Sequence, residues 1–278
     1  MFKNILIPVD SSDYSKVSIE YGIWFAKKFN GKLYGQHVID IITLEGPFFH
    51  DLSGSLGFEP YLNFSIKMKE ILEEKGREVL DDFTKRCSQK EVESCTFLDT
   101  GIVSNEICNR TKLADLVILG QKGLNAGFDR GLLGSTAEAV TRKCRKPFLI
   151  TPKSFKEPSN TMLCYDGSRY ATDAMQTAAD FASVLSLPLT VLIATRNEEE
   201  GENILNDAKR YLSSYKIKTA FKTAKGNPHD EIIDFSRKNS IDFIFMGGHG
   251  HSRIIEMVLG STTEYVLRNS DCPVLMRK

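Results

Sequence analysis

The chain has 278 residues, 41% apolar and 26% charged, enough for one large domain or two ordinary ones around a sizeable core. Its 36 Lys and Arg balance 36 Asp and Glu, and zero net charge excludes a general electrostatic grip on nucleic acid or an anionic membrane. No apolar run approaches the roughly 18 residues that span a bilayer, and "MFKNILIPVD" reads as a strand rather than a signal peptide; read as reduced thiols, the six cysteines lead to an expected cytoplasmic location.

In chain order, "NILIPV" (4–9) is a short apolar run followed by Val17, Tyr21, Trp24 and Phe25 at helical spacing. "KLYGQHVI" (32–39), "SCTFL" (94–98), "LVIL" (116–119) and "PFLI" (147–150) are further runs of strand length. Several lack polar alternation, as strands covered on both faces do. Residues 41–64, "IITLEGPFFHDLSGSLGFEPYLNF", form an insert after the second strand, either a surface loop or a lid at the ligand edge. "TPKSFKEPSN" (151–160) has two prolines and no periodicity, which predicts a linker, bounded as 153–160 between the two modules.

Beyond it the pattern starts again. "TMLCY" (161–165), "LTVLIA" (189–194), "KTAFK" (218–222), "FIFM" (243–246) and "PVLM" (273–276) are the strands, with Ala174, Ala178, Phe181, Ala182 and Leu185 marking the first helix. "RNEEEGEN" (196–203) reads as a solvated acidic helix start. "ADLVILGQKG" (114–123) answers "IDFIFMGGHG" (241–250), and "LLGSTAEAVTRKCRKPFLI" (132–150) answers "VLGSTTEYVLRNSDCPVLM" (258–276). Similarity in fixed order predicts two copies of one module, 1–152 and 161–278. The expected fold class is α/β: two tandem doubly wound modules, each an open five-stranded parallel sheet flanked by helices. The last strands of the two copies are the expected edges of a pseudo-twofold contact between them.

The chemistry gathers where the fourth strand of each copy ends. Gly247, Gly250, Gly260 and Ser261 follow one such strand, and Gly120, Gly123, Gly134 and Ser135 follow the other. Ser261-Thr-Thr-Glu264 and Ser135-Thr-Ala-Glu138 fit capping boxes, so a helix is expected to start at each Gly-Ser pair. A helix start offers free N–H groups and a positive dipole end to phosphate oxygens, and glycines permit close approach.

This pattern, Gly-x2-Gly-x9-Gly-Ser after a fourth strand with Asp at the end of the first strand, resembles the ATP-binding members of the universal stress protein family. The resemblance covers nearly the whole chain and implies the Rossmann-like, adenine nucleotide alpha hydrolase-like fold. In the second copy it places ribose and phosphates at Gly247, Gly250, Gly260, Ser261 and Thr262, and adenine between Asp166 and the backbone near Thr195. In the first copy Asp10 and Val38 match the adenine-side positions, and "PVD" is closer to the family than "CYD" is. Ten residues rather than nine separate Gly123 from Gly134, so binding is expected mainly in the second copy.

The implied cofactor is ATP, with Mg²⁺ held through water at Asp10 or Asp166 as an option beside a simpler hydrogen bond to ribose or adenine. His249 and His251 make a weak metal motif, and Lys122 is a candidate phosphate contact although "GQKG" is not a P-loop. Neither copy shows a nucleophile–base pair, so neither a catalytic residue nor a dedicated metal site is assigned. The six cysteines form no CxxC pair and read as reduced core thiols. The expected function is a nucleotide-dependent sensor or interaction switch in a stress response. Its partners are an adenine nucleotide, a second copy in a homodimer and a protein of unstated identity. A slow ATPase and a nucleotide-free scaffold are the competing readings.

Overall fold

"NILIP" folds as β1 (Asn4–Pro8) because Ile5, Leu6 and Ile7 are buried from both sides, with no polar residue to turn toward water. Ser12 caps the helix that follows, α1 (Asp13–Phe29), by accepting from Ser15 N, and Asn30 ends it in the left-handed conformation at φ 50°. The computed structural model describes residues 1–41, 58–124, 133–248 and 259–278. Gly250, His249, His251 and most of the 41–64 insert lie outside them.

After α1 come β2 (Lys32–Asp40), α2 (Phe58–Gln89), β3 (Ser94–Gly101), α3 (Val103–Arg110), β4 (Leu116–Gly120), α4 (Ser135–Lys143) and β5 (Phe148–Thr151). The expected insert therefore ends in helix, since α2 has already begun at Phe58. The remaining elements are β6 (Thr161–Cys164), α5 (Arg169–Leu185), β7 (Leu189–Thr195), α6 (Glu198–Leu212), β8 (Thr219–Lys225), α7 (Pro228–Lys238), β9 (Phe243–Gly247), α8 (Ser261–Asn269) and β10 (Val274–Arg277). α6 begins at the acidic run, where Asn197 caps it.

The strands form a single sheet in the order β3-β2-β1-β4-β5-β10-β9-β6-β7-β8. Neighbours run parallel except β5 and β10, which pair antiparallel through Ile150–Val274, Leu149–Leu275 and Phe148–Met276. The strand order reverses at β1/β4 on one side and at β6/β9 on the other, and such reversals open a crevice at the carboxyl ends of the strands.

Two apolar layers cover the sheet. One holds α1, α2, α5 and α6, and there Phe25 and Phe181 meet across the middle with ring centroids 5.8 Å apart. The other holds α3, α4, α7 and α8, around Ile107, Val140, Ile233 and Val266. Residues 153–160 are tied down along the first layer. Phe155 packs on Tyr21 at 4.7 Å, while buried Asp242 accepts from Ser159 N (2.9 Å) and Asn160 N (2.8 Å). Burial also pushes the Tyr21 phenol up to about 12.

The cysteine expectation needs one correction. Cys108 on α3 and Cys144 at the end of α4 form a disulfide, with Cα atoms 5.6 Å apart. They lie 36 residues apart in the chain, so no local motif announces the pair; packing of α3 on α4 brings them together. Cys87, Cys164 and Cys272 remain buried thiols, and burial raises the first and last to about 11.

Candidate functional site

The first crevice opens where β1 and β4 end. Asp10 follows β1 in a turn fixed at both ends: its Oδ1 accepts from Ser12 N at 2.9 Å, and its own N–H donates to Ser15 Oγ at 3.0 Å. Across the crevice, β4 ends at Gly120 and the chain passes Lys122 and Gly123 before returning at Gly134. Gly134 N donates to Gln121 O at 2.8 Å, which seats the start of α4 against the glycine loop. The first intrahelical bond of α4 is Glu138 N to Gly134 O, so the N–H groups of Ser135, Thr136 and Ala137 form the open end of that helix.

These parts enclose a cavity of about 450 Å³ lined by Asp10, Val38, Gly120, Gly123, Gly134 and Ser135, together with Gln36 and Lys122. All six first-copy residues singled out in the sequence therefore meet at one place. A Cβ built on Gly123 would lie 3.0 Å from Asp10 Oδ2, so the carboxylate and the glycine loop face each other closely.

The second crevice repeats the construction. Ser168 N donates to Asp166 Oδ1 at 3.0 Å, Gly260 N donates to Gly248 O at 3.2 Å, and Glu264 N donates to Gly260 O at 2.9 Å. Asp166, Gly247, Gly260, Ser261 and Thr262 line a cavity of about 200 Å³. The bonds from Gly134 and Gly260 to the loop are equivalent. The extra residue between Gly123 and Gly134 thus leaves Gly134 in the same register as Gly260.

The local geometry corrects one sequence-based assignment and adds detail to two. The capping boxes do not form: Gly134 and Gly260 are the N-caps, without side-chain cap bonds. Glu138 and Glu264 turn instead to Arg142 and Arg268, one turn further along. Ser135 and Ser261 are consequently first-turn residues beside the cavity mouths.

Packing alone requires a glycine at 247, which also lines the second cavity. A Cβ there would come within 2.7 Å of Ala171 N and 2.8 Å of Tyr170 C, the backbone of the first turn of α5. Gly120 meets Tyr14 Cβ at 2.7 Å in the same way.

The third concerns Thr195, named for the backbone near it. Val9 N donates to Gln36 O and Tyr165 N to Leu192 O, which aligns Val38 with Ala194. Ala194 accordingly lines the second cavity. Thr195 turns to α6, where its Cγ2 would sit 2.8 Å from a Cβ on Gly201, and its hydroxyl accepts from Asn197 N. Counting two residues past the strand-pairing register would have found Ala194.

Sequence reasoning also passed over Gln36 and Asp99. Arg110 grips Asp99 through Nε at 2.9 Å and Nη2 at 2.6 Å and holds its carboxyl below the usual carboxylate range, with the Gln36 amide adding to the effect. A glutamine inside an apolar strand run was the available signal.

The arrangement gathers a helix dipole, three N–H donors, a lysine and, close against the glycine loop, a carboxylate around one pocket. Such a pocket suits a ligand carrying phosphate at one end and hydroxyl or N–H donors elsewhere.

The sequence pattern of the universal stress protein family matches residues 1–152 and 192–278. Universal stress protein Slr1230 of Synechocystis is 31% identical over 283 residues, covering 98% of this chain and 99% of its own. Universal stress protein MJ0531 of Methanocaldococcus jannaschii is 32% identical over 56% of this chain and 86% of its own. The crystal structure of a universal stress protein from Archaeoglobus fulgidus superposes with a TM-score of 0.78, covering 99% of this chain and 98% of that one at 22% identity. Among the described residues, no helix is long and apolar enough to cross a membrane.

Proposed function

Because the chain belongs to the universal stress protein family, we propose that it is a cytoplasmic, ATP-binding regulator whose two halves each hold one adenine nucleotide. The observation that carries this reading is the first cavity. There the open N-terminus of α4, Gly123 and the Asp10 carboxylate together border a cavity of about 450 Å³. α4 and the loop would take the phosphates, Lys122 would add charge, and Asp10 would accept from a ribose hydroxyl. Mg²⁺, when bound with the nucleotide, would neutralise phosphate charge.

In the second half Ser261, Thr262 and Asp166 would serve the same ends, with Ala194 against the base. The shared register of Gly134 and Gly260 supports binding in the first half as much as in the second, in place of the second-half preference expected from loop length.

The residues lining both cavities hold phosphate in its ground state, and interactions of that kind do not lower a chemical barrier. Binding without rapid turnover follows, which favours a switch over an ATPase. The β5–β10 pairing supplies within one chain the contact that two single-module chains would make, and a second chain or another protein would read the bound state.

Calorimetric titration of the whole chain with Mg²⁺ and ATP tests the reading. Saturable binding that Gly123→Val weakens is expected. The absence of saturable binding overturns it and leaves the scaffold.

A further inference from the structure

α3 and α4 are short, at eight and nine residues, and helices of that length persist through tertiary packing and cross-links rather than through propensity. Lys143 Nζ ties them near the start of α3, donating to Ser104 Oγ at 3.0 Å and to Asn105 Oδ1 at 2.8 Å. The Cys108–Cys144 disulfide ties them again near their ends. Both helices also wall the first cavity, α3 through Val103 and Ile107 and α4 through Ser135, Thr136 and Ala137. Cys108 directly follows Ile107, and Cys144 is the C-cap of α4.

The second half closes the same corner without sulfur. The positions equivalent to Cys108 and Cys144 are Ile233 and Ser270, both buried. There Arg237 reaches from α7 to Asp271 Oδ2 at 2.9 Å and to Asn269 O at 3.2 Å. His229 packs on Tyr265 of α8 with ring centroids 4.5 Å apart. A reductant changes none of these contacts. The two bonded cysteines are themselves unequal, since Cys108 is partly exposed whereas Cys144 keeps 3% exposure. An incoming thiolate therefore has its path to Cys108. In a compartment that keeps thiols reduced, a disulfide is a transient, regulatory bond.

We propose that Cys108–Cys144 is a thiol-exchange site, opened by a dithiol reductant and closed by a disulfide oxidant, that loosens or firms the walls of the first cavity and leaves the second unchanged. The inference rests on the cytoplasmic, nucleotide-binding reading above for its setting and adds a control that acts on one half of the chain. A reductant thiolate attacks Cys108 Sγ; a mixed disulfide forms as the Cys108–Cys144 bond breaks, and Cys144 leaves as a thiolate that takes a proton. The reductant's second thiolate then attacks its own sulfur in the mixed disulfide and expels Cys108, which is protonated in turn. The protein gains two electrons and two protons, and the dithiol departs as a disulfide. Exchange with a disulfide oxidant runs the same steps backwards. With the bond open, α3 and α4 are held by packing and by Lys143. Their local opening becomes easier, and a wall that opens more often holds a ligand less tightly.

The test compares the native chain equilibrated with oxidised glutathione or with dithiothreitol, both without denaturant. Alkylation after an acid quench, with peptide mass spectrometry, reads the thiols at 108 and 144. Hydrogen exchange reads residues 103–110 and 135–143 for the first half and 261–269 for the second, with and without Mg²⁺ and ATP. A closed bond under glutathione and two free thiols under dithiothreitol are expected. Ligand-free exchange at 103–110 and 135–143 should quicken by about threefold or more on reduction, while 261–269 stays as it was. ATP should then need concentrations about threefold or more higher to protect 135–143, with no such shift at 261–269. Cys108→Ser should match the reduced native chain under both conditions.

Free thiols at both positions under oxidised glutathione overturn the proposal, as does a bond that dithiothreitol opens only in denaturant. Unchanged exchange at 103–110 and 135–143, or equal loosening of both halves, overturns it too. If Cys108→Ser fails to fold, the two redox states of the native chain decide alone. Failure of ATP to protect either half in either state would instead remove the nucleotide-binding reading, and ligand-free exchange would then decide the proposal by itself.

Discussion

The side-chain amide of Gln121 donates from the glycine loop of the first cavity to the carbonyl of Leu267 at 3.0 Å, in the last turn of α8. A second bond runs to Ser270 O at 2.9 Å. The N-terminus of that same helix faces the second cavity, so one side chain joins the glycine loop of one cavity to the far end of the helix bordering the other. A reciprocal tie exists: Lys278 Nζ donates to Arg142 O at 2.8 Å, in the last turn of α4. Gly248, the counterpart of Gln121, leaves the room for it, since a Cβ there would lie 2.9 Å from Lys278 Cγ.

Gln121→Ala removes the first tie. The chain should lose about 1–3 kcal/mol in urea denaturation, for two hydrogen bonds to otherwise unsatisfied helix-end carbonyls. Nucleotide added to the native chain should also slow exchange at residues 266–270 through this link. In the variant that protection should fall away while protection at 135–140 persists. Unchanged exchange at 266–270 in both proteins would show that the bonds hold the halves together without coupling them.

The two glycine types should separate by experiment. Gly247→Ala drives a methyl group into the backbone of α5 and should cost about 1–3 kcal/mol of stability through overpacking. Among the described residues Gly123→Ala meets the Asp10 carboxylate, at 3.0 Å, and should unfold nearly as the native chain does while binding ATP less tightly. Paired urea and calorimetric titrations check this. A large stability loss from Gly123→Ala would contradict the assignment.

Much of this was legible beforehand, for physical reasons. Strands buried on both faces leave unbroken apolar runs, and repetition of the whole pattern marked the Gly-Ser helix starts and the meeting of the last strands. What stayed hidden depends on tertiary register. Ser135 fits a capping box locally, but Gly134 is drawn to Gln121 O and takes the cap position, leaving Glu138 to Arg142. Thr195 and Ala194 differ only in which face of β7 they occupy. The Cys108–Cys144 pair depends on the packing of α3 on α4, and the Gln36–Asp99–Arg110 chain on the β2–β3 register together with α3.

That chain titrates with a definite sign. Arg110 lowers the folded-state pKa of Asp99 below its ordinary value of 3.8, so its contribution is fully present above about pH 4 and is lost as pH falls through the lowered value. Asp99→Asn should cost about 1–3 kcal/mol at pH 7 and flatten the acid limb of stability against pH. An acid limb equally steep in the variant would assign acid sensitivity to other carboxylates.

Lys278 acts at the other end of the scale. Burial, with Arg145 nearby, depresses its folded-state pKa from 10.5 to about 8. Between those values the unfolded chain binds more protons than the folded one, so this group makes stability rise as pH increases from about 8 toward 10.5. Lys278→Met should remove that rise in urea midpoints measured across the window. A rise of the same size in the variant would exclude Lys278 as its source.

The disulfide closes a 36-residue separation between α3 and the end of α4. Reduction should lower stability by about 2–4 kcal/mol, read as a shift of the urea midpoint with and without dithiothreitol. Cys108→Ser should abolish the shift; if it does not, the reductant acts elsewhere.

The central claim, that each half holds ATP intact, is tested most directly by equilibrium dialysis of the whole chain against Mg²⁺ and γ-labelled ATP. The bound label is then counted and identified. The account predicts saturation at two nucleotides per chain, recovered as ATP. No saturable retention, or label released as phosphate within seconds, would contradict it.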